Sequence, residues 1–170
     1  DLIVVGQPIE EDFSSLDALL LEGALFRSGR PCLIVPRWEA PRVIGSRVLV
    51  AWKATPQAAR ALHEALPLLQ KAKAVRLFCA GEGKEQQGEG PLAMARLARH
   101  LSRHGVVVEE PKPAQLRTEI GDALLAEAHV MGADLIVMGG YGHGRLRELV
   151  LGGATRSMLG KSDRALLMVH

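Results

Sequence analysis

The chain repeats part of its own sequence, and this repetition limits the available folds more than any other feature. Two pairs of segments match: DLIVVG at 1–6 with DLIVMG at 134–139, and SGRPCLIVP at 28–36 with KSDRALLMVH at 161–170. In both copies a strand, a helical stretch of similar length and a second strand follow one another. We therefore expect residues 1–36 to be the last third of a unit whose complete copy occupies residues 47–170.

The complete copy alternates short apolar runs with amphipathic stretches. The expected strands are residues 47–52, 74–80, 106–110, 134–138 and 165–169. Nearly continuous apolar strands that alternate with helices predict a parallel sheet covered on both faces. Right-handed crossovers then give a doubly wound α/β domain with a five-stranded parallel sheet. Residues 37–46, RWEAPRVIGS, are rich in proline, glycine and charge and are expected to link the two copies.

Three helices are expected between these strands, at residues 56–69, 91–104 and 118–131. Apolar residues recur at helical spacing in each of them and should face the core. The expected inward positions are Ala59, Leu62, Leu66 and Leu69 in the first helix, Met94, Leu97, Ala98 and Leu101 in the second, and Ile120, Leu124, Ala128 and Met131 in the third. A polar, glycine-rich loop is expected at residues 81–90.

The segment GGYGHGRLRELVLGGATR, residues 139–156, contains six glycines and follows the fourth expected strand. Its first two glycines lie at the carboxyl end of that strand, which is the edge where open parallel sheets bind ligands. Glycines let backbone amides approach an anion, and a helix beginning near Gly152 and Gly153 would direct its N–H groups to the same place. The segment therefore fits a phosphate site. The alternative is that its glycines only permit tight turns.

The spacing of Gly139, Gly142 and Gly152, followed by Gly153, resembles the signature of the universal stress protein family, G-x2-G-x9-G followed by Ser or Thr. The surrounding segments GADLIVMG, RVLVAW and ARALHEALPLL agree with that family. The resemblance covers residues 45–170 in full and residues 1–36 as the tail of a preceding domain. It implies a tandem-type member, in which two such domains form an internal pseudo-dimer.

This family contains members that bind ATP in the cleft and members that do not. The resemblance implies that phosphates would lie on the amides of the glycine-rich segment and adenosine beside the first and fourth strands. The candidate binding residues are Ala51, Trp52, Lys53, Met138, Gly139, Gly142, His143, Gly152, Gly153 and Ala154. His143 could donate to phosphate or act as an acid or base, or it could be an exposed loop residue without a role.

Two positions depart from the family pattern. Gly153 stands where a Ser or Thr hydroxyl would bind phosphate, so one hydrogen bond of about 1 kcal/mol is missing. Lys53 begins the segment Lys53-Ala54-Thr55, where the family commonly has Asp-Gly-Ser. An acidic contact to ribose or metal is lost there, and a cation that can pair with phosphate is gained. ATP binding and an empty cleft both remain open.

Three functions are compatible with these residues. The first is a non-enzymatic stress-response module whose cleft senses a nucleotide. The second is a slow ATPase or another nucleotide-dependent enzyme on the same fold, which would need an acid/base residue or a metal ligand near the cleft. The third is an interaction module with an empty cleft.

No serine or cysteine has an identifiable activating base, and His100 and His104 form a helical pair without a third metal ligand. Neither catalysis nor a bound metal is therefore expected.

The partners expected for this chain follow from its strands and its charge. The fifth strand, ALLMV, and CLIV of the first copy are apolar edges that need a partner, which predicts a homodimer or a tandem pseudo-dimer. A net charge of +2 and an aromatic content of 4% argue against nucleic acid. No apolar stretch approaches the ~20 residues of a membrane span. Cys32 and Cys79 lie in apolar runs as expected free thiols, which indicates the cytoplasm.

Overall fold

The computed structural model of the chain describes residues 1–8, 16–37, 43–79, 89–109, 118–140 and 153–170. Its strands are β1 (Ile3–Gly6), β2 (Cys32–Val35), β3 (Arg47–Trp52), β4 (Ala74–Cys79), β5 (Leu135–Gly139) and β6 (Ala165–Val169). Its helices are α1 (Leu16–Glu22, continued by a π-helical turn, Gly23–Arg27), α2 (Pro56–Leu69), α3 (Glu89–Arg103), α4 (Ile120–Met131) and α5 (Gly153–Lys161). The expected α/β alternation is confirmed. Most of the loop expected at 81–90 lies outside the described residues, and its last two residues belong to α3.

The strands form one six-stranded sheet in the order β1-β2-β6-β5-β3-β4. Every neighbouring pair is parallel except β2 with β6. The complete copy contributes four of these strands, and β1 and β2 from residues 1–36 join the same sheet to make six. The edge of β6 that was expected to meet a second domain is therefore occupied by β2 of the same chain.

The strand expected at residues 106–110 is reduced to an isolated parallel bridge between Val75 and Val108. The Val75 amide donates to the carbonyl of Val107 at 3.1 Å, and the Glu109 amide donates to the carbonyl of Val75 at 2.8 Å. The segment therefore lies beside β4, but it is too short to count as the strand that was expected. Residue 110 lies outside the described residues.

The contact between β2 and β6 is symmetric with respect to the sequence repeat. When the repeated segments are aligned on Ser28 and Ser162, Leu33 corresponds to Leu167. The observed register pairs Cys32 with Met168, Leu33 with Leu167 and Ile34 with Leu166. Leu33 thus lies opposite its own counterpart. Cys32 pairs with the counterpart of Ile34, and Ile34 pairs with the counterpart of Cys32. The antiparallel register is therefore symmetric about the pair formed by Leu33 and Leu167.

A local turn is repeated together with the sequence. The Arg30 amide donates to Ser28 Oγ at 3.0 Å, and the Arg164 amide donates to Ser162 Oγ at 3.2 Å. The Ser162 hydroxyl in turn donates to the Arg164 carbonyl at 2.9 Å, whereas the Ser28 hydroxyl donates to the Ala24 carbonyl at 2.5 Å. The two copies therefore enter β2 and β6 through the same hydrogen-bonded turn.

The helices cover both faces of the sheet. α2 and α3 pack on one face and α1, α4 and α5 on the other. The inward positions expected for α3 and α4 are confirmed: all are buried except Ala98 and Ile120, which are partly buried against the same clusters. None of the helices in the described part of the chain is long and apolar enough to cross a membrane.

The face of α2 that packs against the sheet is shifted by about one residue from the expected face. The buried positions are Ala58, Ala61, Leu62, Ala65 and Leu69, whereas Ala59 is exposed and Leu66 is only partly buried. The expectation followed the leucines. The helix instead turns its small alanines toward the sheet, which lets its backbone approach β5 closely.

Arg76 of β4 ties α4 to the sheet. Its side chain is 14% exposed and forms ion pairs with Glu109 and with Glu127 of α4, both at 2.6 Å. Burial acts to lower the pKa of Arg76, but the hydrogen bonds to Glu127 and Glu109 outweigh it and raise that pKa. A buried, fully paired arginine holds its partners in one geometry. The middle of α4 is therefore held against the middle of β4.

Candidate functional site

A cleft of about 470 Å³ opens at the carboxyl ends of β3, β4 and β5. Ala51 and Trp52 of β3, the following Lys53, Phe78 of β4, and Met138 and Gly139 of β5 form its floor. This volume lies in the range of small-molecule sites. The position is where doubly wound sheets bind ligands, since β3 is the strand at which the chain order reverses.

The first turns of three helices close the cleft. The lining residues are Ala58 of α2 with its N-cap Thr55, Ile120, Gly121, Asp122 and Leu124 of α4 with its N-cap Glu119, and Gly153, Ala154, Thr155 and Ser157 of α5. The N-terminal end of a helix carries a partial positive charge and amides without an intrahelical partner. Three such ends favour a ligand with negative charge or with hydrogen-bond acceptors.

Part of the lining is apolar. Phe78, Leu124 and Met138 are almost completely buried, and Ala51 and Ile120 are partly buried. A flat ring could lie against this wall with little loss of solvation, because its neighbours are carbon atoms. The remaining lining is polar, so the cleft suits a ligand with one apolar and one charged end.

The charged groups of the cleft are partly paired. Lys161 Nζ lies 3.1 Å from Asp122 Oδ1, and both side chains are about half exposed. The Thr55 hydroxyl accepts a hydrogen bond from the Ala58 amide at 3.3 Å and so caps α2. Lys53 is exposed, and Thr155 is buried.

Two glycines allow the helices to approach the cleft closely. A Cβ atom on Gly139 would lie 2.7 Å from the backbone nitrogen of Ala58, and one on Gly121 would lie 2.6 Å from Ser157 Oγ. Distances below 3.0 Å do not occur for real Cβ atoms. At Gly153, by contrast, no described atom lies within 4 Å of the Cβ position. Among the described residues, none obstructs a side chain at Gly153.

The cleft brings together most of the residues singled out from the sequence. Ala51, Trp52, Lys53, Met138, Gly139, Gly153 and Ala154 line it. Gly142, His143 and Gly152 lie outside the described residues. The sequence reading did not include Thr55, Glu119, Asp122, Ser157 and Lys161, which also line the cleft. A signal was available for Thr55, Glu119 and Asp122, since the first turn of a helix that follows a parallel strand lies at the carboxyl edge of the sheet. Lys161 is the last residue of α5 and has no such signal.

The histidine pair on α3 lies away from the cleft. His100 and His104 are exposed, with ring centroids 4.7 Å apart. In the part of the chain that the structure describes, no three His, Cys, Asp or Glu side chains are grouped closely enough to hold a metal ion.

The fold and the cleft define a doubly wound α/β protein with a cleft at the switch point of its sheet. The sequence model of the universal stress protein family matches residues 46–170. The chain therefore belongs to the universal stress protein family. No curated protein matches the chain.

Solved structures of universal stress proteins share this fold. The protein from Archaeoglobus fulgidus DSM 4304 is similar at 22% identity with a TM-score of 0.70, over 99% of this chain and 60% of its own. A family member from Burkholderia pseudomallei is 20% identical, with a TM-score of 0.55, over 76% of this chain and 98% of its own. A universal stress protein in complex with cAMP is 22% identical, with a TM-score of 0.56, over 74% and 96%. The chain thus spans 60% of the length of the Archaeoglobus protein, which is less than two thirds.

Proposed function

We propose that this chain is a non-enzymatic stress-response protein that binds a nucleotide in the cleft between β3, β5 and the first turns of α2, α4 and α5. One observation carries the proposal: an apolar wall and the N-terminal end of α5 face the same cleft. A base fits against the wall, and a phosphate fits the amides that begin at Gly153. The complex of a related universal stress protein with cAMP supports the proposal. Neither Cys32 nor Cys79 forms a disulfide, which supports a cytoplasmic location.

Titration calorimetry with ATP, AMP and cAMP tests this function. We expect saturable heat and a rise of the melting temperature with at least one of the three nucleotides. Trp52 lines the cleft, so its fluorescence should change on binding, and a Trp38→Phe variant leaves Trp52 as the remaining tryptophan. If none of the three nucleotides gives heat or a thermal shift at millimolar concentration, nucleotide binding is excluded.

We also propose that the protein is of the tandem type, with residues 1–36 as the last third of a first domain and residues 37–46 as the linker. The symmetric β2–β6 contact supports this division. The exposure of β1 supports it further. Leu2 is 45% and Val4 is 59% exposed, whereas their counterparts in the complete copy, Leu135 and Val137, are 0% exposed. β3 and α2 cover those counterparts, and no described strand pairs with the outer edge of β1.

An uncovered apolar edge should associate with another molecule. We therefore expect the 170-residue chain to self-associate at micromolar concentration in analytical ultracentrifugation. A variant with both Leu2→Lys and Val4→Lys should shift toward the monomer. Val130→Lys is the control, because it changes an exposed valine of α4 and leaves β1 unchanged, and it should not shift. A clean monomer of the unchanged chain would contradict the proposal.

A further inference from the structure

The exposed face of α3 carries a row of arginines. Four residues are exposed at intervals of four, three and four positions: Leu92, Arg96, Arg99 and Arg103. Residues at these intervals lie on one side of a helix. The row from Arg96 to Arg103 spans ~10 Å, because the rise of an α-helix is ~1.5 Å per residue. We call the row from Leu92 to Arg103 the arginine stripe.

The charge of the arginine stripe has no partner within the described part of the chain. None of its arginine side chains forms an ion pair or a hydrogen bond with a described residue. The sequence from Gly90 to Val108 also contains no aspartate or glutamate. The stripe therefore presents three positive charges that are open to an external anionic group.

Further cations adjoin the end of the arginine stripe. The Gln70 side-chain amide donates to the His104 carbonyl at 2.9 Å, which brings the end of α2 beside the end of α3. Lys71 and Lys73 follow Gln70 and are exposed, and neither has an ion pair among the described residues. Glu64, the acidic residue of α2, lies about two turns before Lys71. The three arginines and two lysines are thus a local excess of positive charge on a chain whose net charge is only +2.

Apolar side chains lie on both sides of the three arginines. Leu92 is 54% exposed before them, and Val107, shortly after the end of α3, is 64% exposed. Protein interfaces are enriched in arginine and combine it with apolar contacts. The sequence of α3 contains no Phe, Tyr or Trp on which a base could stack. A long polyanion such as nucleic acid would also extend beyond the stripe toward the acidic residues of the chain, which number 19. These features favour a short acidic segment of a protein.

We propose that the arginine stripe binds a short acidic segment of a partner protein, in which carboxylates recur at intervals of three and four residues. Such a segment would align one carboxylate with each arginine, and an arginine can donate two parallel hydrogen bonds to one carboxylate. An apolar residue at the end of the segment would contact Leu92. The stripe is separate from the cleft, since none of the described residues of α3 lines it. The proposal therefore does not depend on nucleotide binding.

The test uses two synthetic helical peptides based on alanine. The first peptide carries one leucine and three glutamates at the intervals of the arginine stripe, and the second has glutamine in place of each glutamate. We expect fluorescence anisotropy at low ionic strength to show that the glutamate peptide binds about tenfold more tightly, because each exposed ion pair contributes a factor of about two. Added salt should reduce this preference, since it screens exposed charges.

Two triple variants test the role of the arginines. Arg96→Gln, Arg99→Gln and Arg103→Gln together remove the charge of the stripe, and this variant should bind both peptides equally. The matched control makes the same change of net charge at three exposed arginines outside α3: Arg27→Gln, Arg30→Gln and Arg37→Gln. The control should retain the preference for the glutamate peptide. All of these side chains are exposed, so both variants should fold, and melting curves check this.

The proposal is wrong if the unchanged chain binds both peptides equally, or if the two triple variants lose the preference to the same extent. A short DNA duplex and vesicles containing phosphatidylserine test the other anionic partners. If either of them binds more tightly than the glutamate peptide and loses its binding in the stripe variant, the stripe serves nucleic acid or a membrane, and the proposed acidic segment is wrong. Weaker binding of both supports a protein partner.

Discussion

The end of β5 lies against the first turn of α2, where a Cβ atom on Gly139 would approach the Ala58 nitrogen to 2.7 Å. The same approach would bring it to 2.8 Å from the carbonyl carbon of Gln57. Both neighbours are backbone atoms, which cannot turn away as the end of a flexible side chain can. Gly139 therefore sets the distance between α2 and the strand, and with it the width of the cleft.

Gly139→Ala should consequently destabilise the protein. The added methyl group must push α2 away from β5, and overpacking of this kind costs about 1–3 kcal/mol. We expect a lower urea midpoint with an unchanged slope. The displacement should also weaken nucleotide binding, because α2 lines the cleft.

The neighbouring glycine is a matched control. A Cβ atom on Gly140 would lie 3.5 Å from the Val169 carbonyl oxygen and 3.6 Å from Leu25, which are ordinary contacts. Gly140→Ala should therefore leave the midpoint nearly unchanged. Equal losses in both variants would show that the close approach at Gly139 is not the cause.

Gly153→Ser should strengthen nucleotide binding. The hydroxyl would stand where the family signature has Ser or Thr, and no described atom within 4 Å obstructs it. One added hydrogen bond of about 1 kcal/mol corresponds to about fivefold tighter binding of ATP in calorimetry. Gly153→Ala adds a methyl group without the hydroxyl and should give no such gain. Similar affinities of the two variants would argue against a phosphate at this position.

Much of the fold could be predicted because its signals are local or repeated. The bounds of α2, β3 and β6 agree with the expectation to the residue. The burial face of α2 was misjudged because leucines give a stronger pattern than alanines, while the close approach to β5 selects small residues. The segment at 106–110 was expected to be a full strand, but its pairing with β4 depends on tertiary contacts that its composition does not show.

The candidate site could be predicted only in part. Residues next to the glycine-rich segment and to β3 are recognisable because glycine and strand ends mark them. Asp122 and Lys161 are 39 residues apart, and they meet only because α4 and α5 pack side by side, which depends on the glycine at position 121. A contact of this kind has no signature in local sequence, so the charge distribution of the cleft emerges only from the structure.

Asp134 holds the ends of the strands that lie opposite the cleft, and its replacement should lower the stability of the protein. Its carboxylate accepts hydrogen bonds from the amides of Gly45, Ser46 and Arg47, at distances between 2.7 and 3.1 Å. Asp134→Ala leaves these donors without their acceptor, which should lower the free energy of unfolding by about 1–3 kcal/mol.

Two further variants separate the hydrogen bonds from the charge. Asp134→Asn keeps one oxygen acceptor and should show an intermediate loss. Asp163→Ala removes an exposed carboxylate that pairs with Arg164 at 3.5 Å. Surface ion pairs of this kind contribute little to the free energy of unfolding. Urea denaturation gives the free energy of unfolding of all three variants. An equal loss for Asp163→Ala would indicate a general charge effect in place of the hydrogen bonds.

Cys32 should make the stability of the protein depend on pH in the alkaline range. Its side chain is fully buried at the β2–β6 contact, and desolvation raises the pKa of its thiol from 9.0 to about 11. Between these values the unfolded chain has released the proton that the folded chain keeps. The contribution of Cys32 to stability is complete below pH 9 and is lost as the pH rises toward 11. The free energy of unfolding should therefore fall across this interval, by at most about 1.4 kcal/mol per pH unit.

Urea midpoints at pH 8 and pH 10.5 for the unchanged chain and for Cys32→Ala measure this effect, because lysines and the tyrosine titrate equally in both. Cys32→Ala will be less stable at pH 8, since it leaves a cavity, but its stability should decline less as the pH rises. Cys79→Ala retains Cys32 and should keep the steeper decline. If Cys32→Ala and the unchanged chain lose stability in parallel, the thiol does not titrate with the raised pKa, and the β2–β6 contact around it is open to solvent.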